Sequence, residues 1–269
     1  MCWRIICCGI GDRLGEAVAG DTPLAFRFVL RDMARIEPWG IAPDRSLSWF
    51  GLTDGAYCTE TRAGRLLDYR NEHDDGLGVS WCTYAVARLW EDLTDLVPRA
   101  LEPVPAEVLP RLCAWLETGA ADEPPDDESL YDAWVGAQGW WSERQLDLGY
   151  LRHAPRLHVW RLGDMVQLRW RVREDAGEEC PFSVPQTDAE MTVAQFEQAI
   201  TAFQRDFLAA MRARCQALVR DGWPGKPCDI DPEAVQEEQE AREAEAADRR
   251  PAPRTDWDAV REDLDIMGA

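Results

Sequence analysis

Lysine is all but missing from these 269 residues: Lys226 is the only one, and the other basic side chains are arginines. That bias reads as high-GC codon usage and not as chemistry. Histidine is scarce too. Of the three, His153 and His158 stand five apart across Pro155, which excludes the i, i+4 spacing of a helical H-E-x-x-H metal site. None of the nine cysteines forms a C-x-x-C pair, Cys7-Cys8 is vicinal and the count is odd, so reduced thiols are expected. No run is long and apolar enough to span a bilayer. The N-terminal stretch Ile5 to Ile10 is too short for a span and lacks the flanks of an export signal, so a cytoplasmic location is the expectation. Positive charge is in deficit: the net charge is −21 and the pI about 4.5, which opposes binding to nucleic acid or to an anionic membrane and favours a basic protein partner. The deficit is uneven, because residues 229–269 hold 14 acids against 5 arginines.

Tryptophan, by contrast, is abundant at thirteen, and packing in the core and at its rim is the simplest account of most of them. The pattern around Ser48 to Gly55 organises the reading. Asp54-Gly55 between alternating side chains predicts a two-residue hairpin turn, pairing Thr53 with Ala56, Leu52 with Tyr57, Gly51 with Cys58 and Phe50 with Thr59. Upstream, Leu24 to Met33 alternates as a strand. Downstream, Leu66 to Tyr69 reads as a short strand. A helix follows from about Thr83 to Val97, with Val86, Leu89, Trp90, Leu93, Leu96 and Val97 on its apolar side and Arg88, Glu91, Asp92 and Asp95 on the other. Arg111 to Glu117 reads as a short helix. Residues 120–128 form an acidic linker, and Leu130, Trp134, Ala137 and Trp141 mark one side of a further helix.

A second hairpin turns at Gly163-Asp164. It places Leu157, Val159, Val166, Leu168, Trp170 and Val172 on a core face and His158, Trp160, Gln167, Arg169 and Arg171 on a wet one. Thr192 with Gln195 then makes a capping box, and Met191 with Phe196 stands at staple spacing. An apolar stripe from Val193 to Leu218, closed by Gly222 and Pro224, predicts a helix over about 193–221, roughly 40 Å long at 1.5 Å per residue. The domain organisation that follows is an extension over 1–23, a single α+β domain over 24–228 and an acidic tail over 229–269. The tail carries essentially one apolar anchor before Arg250, Val235, so a solvated helix or disorder is expected there. It ends in a short amphipathic helix near 256–267.

Chemistry is thinly signalled. Gly9-Ile10-Gly11 superficially resembles a dinucleotide-binding turn, but Gly20 to Pro23 ends the next helix too soon for a crossover, so no cofactor is expected. Glu72-His73-Asp74-Asp75 lacks the repeat of a calcium loop and reads as solvated, so no metal is expected. Cys58 with His73 offers a nucleophile and base only if they meet, and an inert buried thiol is commoner. Asp54 is explained by its turn, and His158 by a surface position opposite Arg169.

Several short motifs occur in order: Pro38-Trp39-Gly40, Ser48 to Gly55, Arg88 to Leu93, Leu101 to Pro105, and Leu146 to Arg152 leading to Ala154-Pro155 and Trp160-Arg161. On these the chain resembles an uncharacterised bacterial family, domain-of-unknown-function family 5984, over about residues 24–224. The resemblance implies no activity and carries over no catalytic residue.

The expected function is therefore a non-enzymatic interaction protein, immunity- or antitoxin-like, that holds a basic partner. Its acidic surface would act together with Trp49, Trp90, Trp160, Trp257 and Leu264. The alternative is a hydrolase or transferase in which Asp54, Asp147, Tyr150 and Arg161 converge in a cleft beside the first hairpin.

Overall fold

The computed structural model describes residues 23–70, 76–112, 125–151, 154–172, 180–248 and 254–268. The readings made above for the N-terminal extension, for Glu72 to Asp75 and for most of the 111–117 helix lie outside the described residues. Two four-stranded antiparallel sheets and a set of helices give an α+β fold. In the first sheet β2 (Asp54–Thr61) is central. It pairs with β1 (Leu24–Leu30) along one edge, and with both β3 (Gly64–Leu66) and β4 (Cys82–Ala85) along the other. The second sheet runs β5 (Gln145–Leu146), β6 (Arg156–Leu162), β7 (Met165–Arg171), β8 (Gln186–Thr192) in sequence order.

Asp54-Gly55 is not a turn. Residues Gly51–Thr53 coil into a short 3-10 turn, Asp54 is already extended (φ −50°, ψ 130°), and both residues open β2. Their partners are therefore Leu30 and Tyr84 for Gly55 and Ala85 for Asp54, and none of the four predicted hairpin pairs exists. The glycine serves another purpose: a β-carbon at 55 would overlap the Val29 carbonyl oxygen of β1, so only glycine lets the two backbones approach. Asp54 is held by Arg31, whose Nε donates to its carboxylate at 2.7 Å. Gly163-Asp164 does turn, with Gly163 at φ +58° and Leu162 opposite Met165.

The helix after β4, α1 (Val86–Ala100), starts three residues later than its sequence pattern predicts, because Thr83 belongs to β4. Ala85 cannot cap it with a side chain; the Thr53 hydroxyl oxygen instead accepts the Ala87 N–H at 3.2 Å. It also runs through Pro98 to Ala100. Helix α2 (Glu128–Ser142) buries Ala133, Ala137, Trp140 and Trp141. The long helix α3 (Val193–Asp221) has the expected bounds and the complete Thr192/Gln195 capping box, and ends on Gly222 at φ +78°. Its Phe203 and Phe207 pack edge-on and tilted against Phe26 and Phe28 of β1.

The acidic tail forms two docked helices. On α4 (Pro232–Ala247) Val235 and Gln239 are buried, so this helix is not simply solvated. Gln239 is the device the apolar pattern could not reveal: it accepts the Trp49 indole N–H at 2.8 Å and donates to the Leu208 carbonyl at 3.1 Å. Helix α5 (Trp257–Ile266) buries Val260 and Leu264 in a second apolar cluster with Val104, Val108, Leu112, Trp140, Trp141 and Trp160. That cluster covers part of the β6–β7 face expected to be wet, so His158 and Trp160 are buried, and His158 stacks on Trp141 at 4.0 Å. No described helix is long and apolar enough to cross a membrane.

Candidate functional site

A network of polar side chains lies where strands of both sheets meet α1. Helical spacing sets Arg88 and Asp92 one turn apart, and Arg88 Nε contacts Asp92 Oδ1 at 3.1 Å. The segment after β5 runs alongside. There Asp147 folds its own turn by accepting the Gly149 N–H at 3.0 Å, and its other oxygen takes Arg88 Nη2 at 2.7 Å. Tyr150, three residues on, reaches inward to share a 2.8 Å hydrogen bond with the Tyr57 hydroxyl of β2. Tyr84 of β4 stacks on Tyr150 with ring centres 4.5 Å apart, and the Arg88 guanidinium sits 5.5 Å from the same ring.

These groups grade from solvent to core. The Asp147 side chain is 61% exposed and that of Arg88 35%, but that of Asp92 only 6%. Burial dominates at Asp92 and outweighs the pull of Arg88 and the hydrogen-bonding support of the Tyr150 hydroxyl, while Asp147 and Glu91 add repulsion, so its carboxyl is pushed up to about 7. Burial likewise drives both Tyr57 and Tyr150 far above the ordinary phenol range, so both stay protonated. Asp92 Oδ2 has no hydrogen-bond partner among the described residues. A carboxyl that titrates near neutrality beside an arginine and two phenols can exchange a proton or pair with a cation.

Of the four candidates for catalysis, Asp147 and Tyr150 meet here and two stand elsewhere. Asp54 pairs with Arg31 at the start of β2. Arg161 closes the β6–β7 turn, donating to the Gly163 and Leu101 carbonyls at 2.6 and 3.4 Å. The full set of four therefore does not converge. Arg88, Asp92, Tyr57 and Tyr84 were missed as site residues. One signal for Asp92 was present: it stands three after Leu89 and four before Leu96, on the margin of the apolar stripe.

The five binding candidates are placed mostly inside. Trp49, Trp90, Trp160 and Leu264 are buried, and Trp257 is half-buried against Trp140. Arg242 of α4 lies over both the Trp49 and Trp90 rings, at 5.3 and 5.6 Å. These side chains therefore hold the fold together in this structure and present little surface. Two further groups among the described residues that could act as nucleophile or base are inert. Cys58 is buried with its thiol pushed up by burial, and burial draws His158 down to about 3, so its ring is neutral. Among the described residues no three His, Cys, Asp or Glu side chains converge to hold a metal ion.

Fold and site together define an α+β protein with a tyrosine, arginine and carboxylate network where its two sheets meet. The chain belongs to a family of unknown function, DUF5984, whose model matches residues 25–263. The match takes in the acidic tail, beyond the 24–224 span over which the motifs resemble the family. No curated protein and no solved structure matches the chain.

Proposed function

We propose that the protein is a non-enzymatic interaction module whose acidic surface engages a basic protein, as an immunity- or antitoxin-like inhibitor would. The placement of the negative charge supports this reading. On α4, Glu233, Glu237 and Glu240 stand four and three residues apart along one exposed flank. The single arginine of that helix, Arg242, is spent internally on Glu91, Glu238 and Glu245. With a net charge of −21 behind it, such a flank steers a cationic partner into place and repels acidic ones. The test is co-purification of the full chain from native lysate, followed by affinity measurements on the partner recovered. A stoichiometric basic protein is expected, with affinity falling steeply with salt and an on-rate about tenfold lower for the triple variant E233K/E237K/E240K. Affinity indifferent to both salt and charge reversal would overturn the reading.

The position of Asp92 favours a second reading, a hydrolase or transferase with Asp92 as general acid or base beside Tyr150. It predicts turnover of an ester or phosphoester that Asp92→Asn abolishes. Turnover unchanged in that variant would contradict it.

A further inference from the structure

The charges around Tyr150 do not balance. From α1 come Glu91, Asp92 and Arg88, from the segment after β5 Asp147 and Tyr150, and from β2 the Tyr57 hydroxyl. Glu91 already holds Arg242 of α4 at 2.9 Å. Asp92 and Asp147 are then left to share one guanidinium, with Nε on the first and Nη2 on the second. Sharing leaves Asp92 Oδ2 without an ion pair or a well-formed hydrogen bond although its side chain is more than nine-tenths buried, and the Tyr150 hydroxyl, committed to Tyr57, gives the carboxyl only minor support. A free carboxylate oxygen away from water is costly, and one additional cation would satisfy it. Beside Asp92 stands Tyr150, and Tyr84, stacked on the Tyr150 ring at 4.5 Å, is 38% exposed. Aromatic faces attract cations, as Arg88 over Tyr150 already illustrates.

We propose that Tyr84, Tyr150, Asp147 and Asp92 form a receptor for an alkylguanidinium group, the head of an arginine side chain, which stacks on Tyr84 and pairs with the two carboxylates. A metal ion is the poorer occupant, because among the described residues no three ligand-type side chains converge. A planar guanidinium suits both a ring face and a pair of carboxylates. The inference rests on the interaction reading only for the source of that group, which is an arginine of the basic partner.

The test titrates the full chain with butylguanidinium and, separately, with butylurea, its neutral isostere, following tyrosine fluorescence and heat. Saturable 1:1 binding of butylguanidinium is expected, at least tenfold tighter than that of butylurea. Its affinity should rise about tenfold from pH 6 to pH 8 as Asp92 ionises. Asp92→Asn should weaken binding about tenfold and flatten that pH dependence. Asp147→Asn, at an exposed side chain, gives the same weakening if Asp92→Asn does not fold, while Glu197→Gln, exposed on α3, leaves binding unchanged. Equal binding of the two probes, or affinity untouched by both Asn variants, overturns the proposal. The two readings fail separately. If butylguanidinium binds as described but no basic protein is captured, the receptor stands and the interaction reading falls. If a basic protein binds wild type and both Asn variants alike, the reverse holds.

Discussion

Two buried charges, Asp92 and Arg144, are treated in opposite ways by the same fold. Arg144, just after α2, is fully buried; its Nη2 donates to Glu102 at 2.7 Å and to the Thr255 hydroxyl at 3.2 Å, and Nη1 donates to the Trp140 carbonyl at 3.2 Å. Trp140 lies under the guanidinium at 4.3 Å, with Trp257, the first residue of α5, at 5.7 Å. Glu102 is itself saturated, since it also accepts the Thr255 N–H and hydroxyl. Burial lowers Arg144 only to about 10 against the support of Glu102 and Glu143, so the side chain stays charged. Asp92 is buried to a similar degree but must share its counterion, and its carboxyl is driven to about 7. What separates the two sites is exclusivity of the partner, not depth. Each site keeps one buried atom without a partner, Arg144 Nε and Asp92 Oδ2, but the exclusive pair holds its charge whereas the shared carboxylate does not.

The contrast can be broken at the closed site first. Glu102→Gln leaves Arg144 buried without its counter-charge and should cost about 3–5 kcal/mol in urea unfolding. Leu264→Ala removes the fully buried α5 anchor over the same cluster and should cost roughly 3 kcal/mol by the same measurement. At the open site the sign reverses. The native carboxyl of Asp92 titrates above the ordinary value of about 3.9, so the native state binds the extra proton. The stability contributed by Asp92 is complete below about pH 4 and is lost as the pH rises through about 7. Asp92→Asn should therefore stabilise by about 2–3 kcal/mol at pH 8 and by almost nothing at pH 4, read as a difference in urea midpoints between the two pH values.

His158 sharpens the comparison from the other side. Its native value, about 3, lies below the ordinary 6.5, so its contribution is complete above about pH 6.5 and is lost as the pH falls toward 3. His158→Phe, which keeps an aromatic ring on Trp141, should recover about 2 kcal/mol at pH 5 and nothing at pH 8. The aromatic cluster is thus the acid-sensitive region and the tyrosine network the alkali-sensitive one.

How much of this was legible in the sequence depends on whether the signal was local. The α3 bounds, its capping box and the Gly163-Asp164 turn all follow from residues a few positions apart, and each stands where its pattern puts it. Asp54-Gly55 carries the same two residue types as Gly163-Asp164 in reverse order, but its glycine answers to Val29, on a strand more than twenty residues away, and no local rule reports that. The site divides along the same line. Asp147 and Tyr150 were nameable as candidates, while Arg88 and Asp92 read as the solvated side of a helix because nothing near them in sequence announces Tyr57, Tyr84 or Tyr150. The docking of α4 escaped for a related reason: Gln239, a polar residue, does the work expected of an apolar anchor by bonding the Trp49 indole.

The central claim is that Asp92 is a buried carboxyl without enough positive charge to hold it ionised. Its own titration, followed through the side-chain carboxyl carbon by NMR in the full chain and assigned with Asp92→Asn, addresses that directly. The account predicts a midpoint near 7 that falls when butylguanidinium is added. A midpoint near 4, unmoved by the cation, would contradict it.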